Sequence, residues 1–104
     1  MEMIFSMTIT KIKNDNFLTL KLEGRLDTTT APQLENELSE NLDGVTELTI
    51  DFAELSYISS AGLRVLLATQ KRMNKQGSMK LINVNEIVME VFEITGFVDI
   101  LTIE

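Results

Sequence analysis

Two stretches of strict two-residue alternation, separated by a segment of helical spacing, constrain this chain more than any other feature. In Phe17–Glu23, FLTLKLE, Leu18, Leu20 and Leu22 alternate with Thr19, Lys21 and Glu23; in Leu48–Phe52, Leu48, Ile50 and Phe52 alternate with Thr49 and Asp51. Each is the pattern of a strand with one buried face. Between them Leu34, Leu38 and Leu42 recur at helical spacing behind Thr30-Ala-Pro-Gln33, where Thr30 and Gln33 have the capping-box separation and Pro32 sits in a first turn that does not need its missing N–H. The expected helix covers Ala31–Asn41. A strand, a helix of about ten or more residues and a second strand form a crossover connection, so the two strands run parallel.

The rest of the chain extends this scheme. Met7 and Ile9, among threonines, suggest a strand that Asn14-Asp15-Asn16 joins to Phe17–Glu23 as an antiparallel hairpin. From Ser60 onward the spacing is helical, with Gly62, Leu63, Leu66, Thr69 and Met73 on one side and Arg64, Lys71 and Lys75 on another, until Gly77-Ser78 ends the run. Met79–Ile82 reads as a strand, Asn85 as the cap of a helix carrying Ile87, Val88, Val91, Phe92 and Ile94, and Gly96 as its C-cap. Ile100–Ile103 is expected to add a last edge strand. The fold class is α/β: a single domain over 1–104, with a mainly parallel sheet of four to five strands, opened by an antiparallel hairpin and covered by helices. At 104 residues and 44% hydrophobic, the chain can bury a core without metal or disulfide support.

Composition removes much chemistry. Without cysteine or histidine there is no disulfide framework, thiolate nucleophile or cysteine zinc site, and the usual general base and commonest metal ligand are missing. No cofactor and no enzymatic activity are expected. A net charge of −7 disfavours nucleic acid and anionic membranes and points to a protein partner. MEMIFSMTIT, with Glu2 and a short apolar stretch, lacks the basic flank and long apolar core of a signal peptide. No stretch reaches the roughly 20 apolar residues that span a bilayer, so a cytoplasmic location is expected.

Against that background SYISSAGLRVLL, Ser56–Leu67, stands out. It is expected to be the loop leaving the third strand and the first turn of the next helix, at the edge of a parallel sheet where function usually resides. The free N–H groups of that turn attract a hydroxyl oxygen and, more strongly, an anion. Either Ser59 or Ser60 can serve as N-cap. A hydrolase would need a base, yet histidine is absent and so is G-x-S-x-G; a phosphate-binding G-x-x-x-x-G-K-[ST] is absent as well. A phosphate-accepting serine remains.

DFAELSYISSAGLRVLL, Asp51–Leu67, together with GRLDTTTAPQL, Gly24–Leu34, resembles the STAS domain of bacterial anti-sigma factor antagonists, in motif order and spacing and over essentially the whole chain. The resemblance implies a partner-switching module. The unphosphorylated domain binds an anti-sigma factor that is also a serine kinase and frees a sigma factor; phosphorylation releases the antagonist, and a PP2C-like serine phosphatase resets it. Setting the family pattern D-S-[ST]-G-L on Gly62-Leu63 puts the acceptor at Ser60, with Ser59 as the alternative because it replaces an aspartate common in the family, and Ala61 where serine or threonine is usual. Asp27 matches a family aspartate beside the acceptor loop, or serves only as a strand-ending turn residue.

Partner contacts are expected around Ser60 from Asp27, Tyr57, Ile58, Ser59, Gly62 and Arg64, with small residues admitting the partner backbone. Arg64, Lys71 and Lys75 are also accounted for as an ordinary solvated helix face. The free protein is expected to be a monomer. Two other uses stay open: a STAS module built into a larger signalling assembly, and a small-molecule or nucleotide-binding module that uses the same helix N-terminus.

Overall fold

The computed structural model describes residues 7–104, so the reading of the first six residues lies outside it. Strand β1 (Thr8–Asn14) turns at Asp15-Asn16 into β2 (Phe17–Leu26); α1 (Ala31–Asn41), β3 (Glu47–Ile58), α2 (Ser60–Gln76), β4 (Ser78–Ile82) and α3 (Glu86–Thr95) follow, with a short 3-10 turn at Phe97–Asp99. The sheet order is β1-β2-β3-β4, with β1 and β2 antiparallel and the other pairs parallel. Asp15 takes a positive φ of 56°, which Asp tolerates better than most residues, and this closes the hairpin.

One face of the sheet is apolar and sealed. Leu18, Leu20, Leu22, Leu48, Ile50, Phe52, Met79 and Leu81 are each at most 3% exposed, whereas Lys21, Glu23 and Ala53 on the alternate positions face solvent. Burial of such a side chain stabilises the fold by about 1.5–3 kcal/mol, so the alternation fixes which face the helices cover. Right-handed crossovers in a consecutive strand order place α1 and α2 on the same side. The α1 residues Leu34 and Leu38 and the α2 residues Leu63, Leu66, Thr69 and Met73 are buried there, as their spacing predicts. α3 joins that layer through Phe92, whose ring meets Phe52 edge-on at 6.1 Å. Asn85 caps α3 by accepting from the Val88 N–H at 2.8 Å, and Gly96 ends it in left-handed backbone at φ 81°.

Two expectations are corrected. β3 does not end before Ser56 but runs to Ile58, so Ser56–Ile58 belong to the strand and not to the loop leaving it, and two extra residues explain why alternation hid this. Lys21 pairs with Asp51 and Glu23 with Glu54; Gly24 pairs with Leu55 and Arg25 with Tyr57. Each step gives β3 one residue more than β2, and each bulge shifts the inward face, so Phe52, Leu55 and Ile58 are all buried at a spacing of three. The last edge strand at Ile100–Ile103 shrinks to one parallel bridge, Leu81 to Ile103. The Phe97 carbonyl accepts from Ile100 at 3.0 Å and Leu101 at 2.8 Å, which coils the segment before it reaches β4.

The far end of α2 is stitched to the loop before β3. Gln76 Nε2 donates to the carbonyls of Leu42 and Val45 at 2.7 Å each. At Gly77 an added Cβ would lie 1.9 Å from the Thr46 carbonyl oxygen. Gly77→Ala must therefore push backbone from backbone. It is expected to cost about 3 kcal/mol, at the upper end for overpacking, read as a lower urea midpoint; an unchanged midpoint would show that this approach is not tight in solution.

Candidate functional site

The carboxyl ends of β2 and β3 lie side by side, and their register places the two serines. Arg25 pairs with Tyr57 and Leu26 with Ile58; one step further, the Ser59 N–H donates to the Leu26 carbonyl at 2.9 Å. Ser59 keeps extended backbone, φ −105° and ψ 175°, and is the N-cap residue of α2. Its carbonyl accepts from the Leu63 N–H at 3.0 Å and closes the first turn. The choice left open by sequence thus falls to Ser59 by backbone position. Its hydroxyl makes no cap bond; Ser59 Oγ is buried without a hydrogen-bond partner. Ser60, the first helical residue, is exposed. The unpaired N–H groups of that turn make an anion at Ser60 electrostatically favourable.

Asp27 caps a turn. Its Oδ1 accepts from the N–H groups of Thr29 at 3.0 Å and Thr30 at 3.2 Å, while Thr30 Oγ1 accepts from the Asp27 N–H at 2.9 Å. This reciprocal pair has the logic of a capping box, set three residues before the expected one. The Thr30–Gln33 box does not form: Thr30 Oγ1 also donates to the Arg25 carbonyl at 2.7 Å, and the Gln33 amide bonds both backbone groups of Met7. Burial alone would raise the Asp27 pKa, but the Thr30 and Thr29 N–H groups, the Thr30 hydroxyl and the Arg25 charge outweigh it and hold the carboxyl below the ordinary aspartate value.

Arg25, which sequence reasoning passed over, ties these groups together. Its Nε lies 3.6 Å from Asp27 Oδ2, and its guanidinium carbon stands 4.2 Å from the centre of the Tyr57 ring, a cation–π arrangement. The signal was its place beside Asp27 in GRLD. Asp27, Tyr57 and Ser59 are thus assembled at the strand ends, and Arg64 stands exposed one turn along α2 on the side of Ser60. Ile58 and Gly62 do not join them. Ile58 is 3% exposed, and a Cβ on Gly62 would lie 2.6 Å from Leu26 Cγ and 2.9 Å from Ile58 Cγ1. The smallness of Gly62 lets α2 settle on the strands; it admits no partner backbone, contrary to expectation. Beside the junction an open groove of about 310 Å³ runs between the entry to α1, at Thr28, Ala31 and Pro32, and Ala61, Arg64 and Val65 of α2.

A family model described as the STAS domain matches residues 8–104. BtrV of Bordetella bronchiseptica is 42% identical over 96 residues, covering 90% of this chain and 83% of that protein. The anti-sigma-B factor antagonist of Bacillus subtilis is 36% identical over 92 residues, covering 88% of this chain and 84% of that protein. The fold is shared with the Bacillus cell fate determinant SpoIIAA in its phosphorylated form, at TM-score 0.71 and 20% identity over 94% of this chain and 90% of that one. The anti-sigma factor antagonist SpoIIAA in its unphosphorylated form gives TM-score 0.72 and 19% identity, over 94% of this chain and 86% of that one. Among the described residues no helix is long and apolar enough to cross a membrane.

The depressed Asp27 pKa carries a sign. A carboxyl whose folded pKa lies below its unfolded value, about 3.9, adds stability that is present above that value and lost as pH falls through the folded one. Asp27→Asn keeps an acceptor for Thr29 and Thr30 but has no charge to titrate. Its urea midpoint is expected to fall less steeply than wild type between pH 5 and about pH 2; parallel curves would remove the charge of Asp27 from the account.

Proposed function

The chain belongs to the STAS domain family, and from that premise we propose that it acts as an anti-sigma factor antagonist, with 1–104 working as one domain. In the unphosphorylated state it binds an anti-sigma factor serine kinase through the surface at the ends of β2 and β3 and the first turns of α2. Asp27, Tyr57, Ser60 and Arg64 are the accessible expected contacts, and Arg25 and the groove beside Ala61 extend them. The observation that carries the reading is the contrast between neighbours: the Ser60 side chain is open to solvent, whereas Ser59 Oγ is buried. A kinase can reach only the first without unfolding the junction. The chain's similarity to the Bacillus subtilis anti-sigma-B factor antagonist supports the assignment, as does its sharing a fold with a protein solved in phosphorylated and unphosphorylated forms.

The switching chemistry is a phosphoryl transfer. Ser60 Oγ attacks the γ-phosphorus of ATP held by the kinase, its proton passes to a kinase base, and ADP leaves. The product adds roughly −1.5 to −2 charges and three acceptor oxygens at the first residue of α2. For the domain this is mild, because the anion sits at a helix N-terminus. For the partner it is costly, because a close-packed contact must now desolvate or oppose the phosphate. A penalty of about 4 kcal/mol lowers affinity close to a thousandfold. A PP2C-like serine phosphatase removes the group and restores binding. The domain itself performs no catalysis in this scheme, and the cytoplasm, where kinase, phosphatase and sigma factor meet, is its place of action.

With a cognate kinase, ATP and Mg²⁺, one phosphate is expected, lost in Ser60→Ala and retained in Ser59→Ala; peptide mapping to Ser59 would overturn the acceptor assignment. Ser60→Asp is expected to weaken kinase binding at least about tenfold in titration calorimetry, a cost of about 1.4 kcal/mol or more, with melting temperature nearly unchanged. Equal binding by the wild type and Ser60→Asp, repeated with chemically phosphorylated protein, would sink the switch. Because Ser59 occupies the cap position, Ser60→Ala should change stability by no more than about 0.5 kcal/mol, as at ordinary surface sites.

A further inference from the structure

α3 carries an apolar stripe that the fold does not use. Ile87 is 66% exposed and Ile94 77%, and just beyond the helix Val98 and Ile100 are 37% and 47% exposed. At about 100° per residue, Ile94 projects within about 20° of Ile87, with half-buried Val91 about 40° to the other side. Val88 and Phe92 bound the stripe where α3 enters the core. Glu90, Glu86 and Glu93 bound its opposite edge, and α3 contains no lysine or arginine. Among the described residues the ion pairs are Arg25–Asp27, Arg72–Asp43 and Lys80–Glu104, so this row of carboxylates is not neutralised. Isoleucine is a mediocre helix former, and an exposed one gains nothing from burial.

We propose that this face of α3 docks an amphipathic helix of a partner protein, one bearing aliphatic residues at i, i+4 and i+7 and lysine or arginine along one flank. Two helices packed side by side interlock residues at that spacing. The one-sided acidic row sets the orientation, since the partner's basic flank must lie over Glu86, Glu90 and Glu93. The same charges select against other occupants. A second copy would bring its own acidic row and its own net charge of −7 to the contact, and an anionic membrane would meet the row with like charge. α3 contributes no residue to the groove beside Ser60, so the inference stands independently of the switch.

The test is a titration of ¹⁵N-labelled protein with a synthetic leucine–lysine amphipathic helix, and with its copy in which every lysine is glutamate. Amide shifts concentrated in α3 and residues 97–100 are expected, with binding at least about tenfold weaker for the glutamate peptide and for Ile94→Asp. Ile94 is exposed, so the variant should fold; Ile94→Ser, judged by the same titration, covers the case in which it does not. Shifts centred on other elements, or equal binding by the variants, would overturn the proposal. So would a dimer in sedimentation, or binding to anionic lipid vesicles, that Ile94→Asp abolishes, since either would give the stripe to another occupant.

Discussion

The hydrogen bond from the Ser59 N–H to the Leu26 carbonyl, 2.9 Å long, is the join on which the exposure of Ser60 at the start of α2 depends. It is the last step of the parallel ladder, and the Ser59 carbonyl opens the helix by accepting from the Leu63 N–H. Because it holds Ser59 extended, α2 must begin at the next residue, and the hydroxyl of that residue is delivered to solvent. Gly62 completes the join from the helix side, since only a residue without Cβ can bring α2 down onto Leu26 and Ile58. Asp27 holds the β2 side by fixing the Thr29 and Thr30 N–H groups. Cap, glycine and aspartate thus serve one geometrical end, a hydroxyl presented at a helix N-terminus by rigid strands.

Much of this was legible in the sequence because each residue type admits few structural roles. The alternation in Phe17–Glu23, the helical spacing of Leu34 and Leu38, the cap at Asn85 and the glycines at positions 77 and 96 each signalled the element that formed. What escaped had a physical reason. β3 beyond Phe52 could not be read from a period of two, because two bulges replace that period by three. The capping box was misplaced because Asp27-x-x-Thr30 and Thr30-x-x-Gln33 share the same spacing, and only the bond from Gln33 to distant Met7 decides between them. Ile58 and Gly62 sat in the right motif, but a one-dimensional pattern does not say which side of a strand or helix a residue faces. Of the apolar residues that mark α3, Val88 and Phe92 are buried whereas Ile87 and Ile94 are exposed, a division that their apolar character alone does not reveal.

Arg25 illustrates how a surface can be organised without being buried. Its side chain is 55% exposed, so its ion pair with Asp27 contributes little to stability. It also stands 4.2 Å from the centre of the Tyr57 ring, and this cation–π contact biases two exposed side chains toward one arrangement. Restricting such groups before a partner arrives removes part of the ordering cost of association.

α2 is held at both ends: Gly62 seats its first turn on Leu26 and Ile58, and Gly77, against Thr46, seats its last. Close packing of this kind at both ends opposes tilting of the helix against the strands. If charge is added at its start, the message is written on the outside of a body that keeps its shape, more like a stamp on a seal than a lever in a machine. Under the proposed switch the added charge is read without rearrangement of the domain, so the pace of the signal would be set by the enzymes that write and erase it.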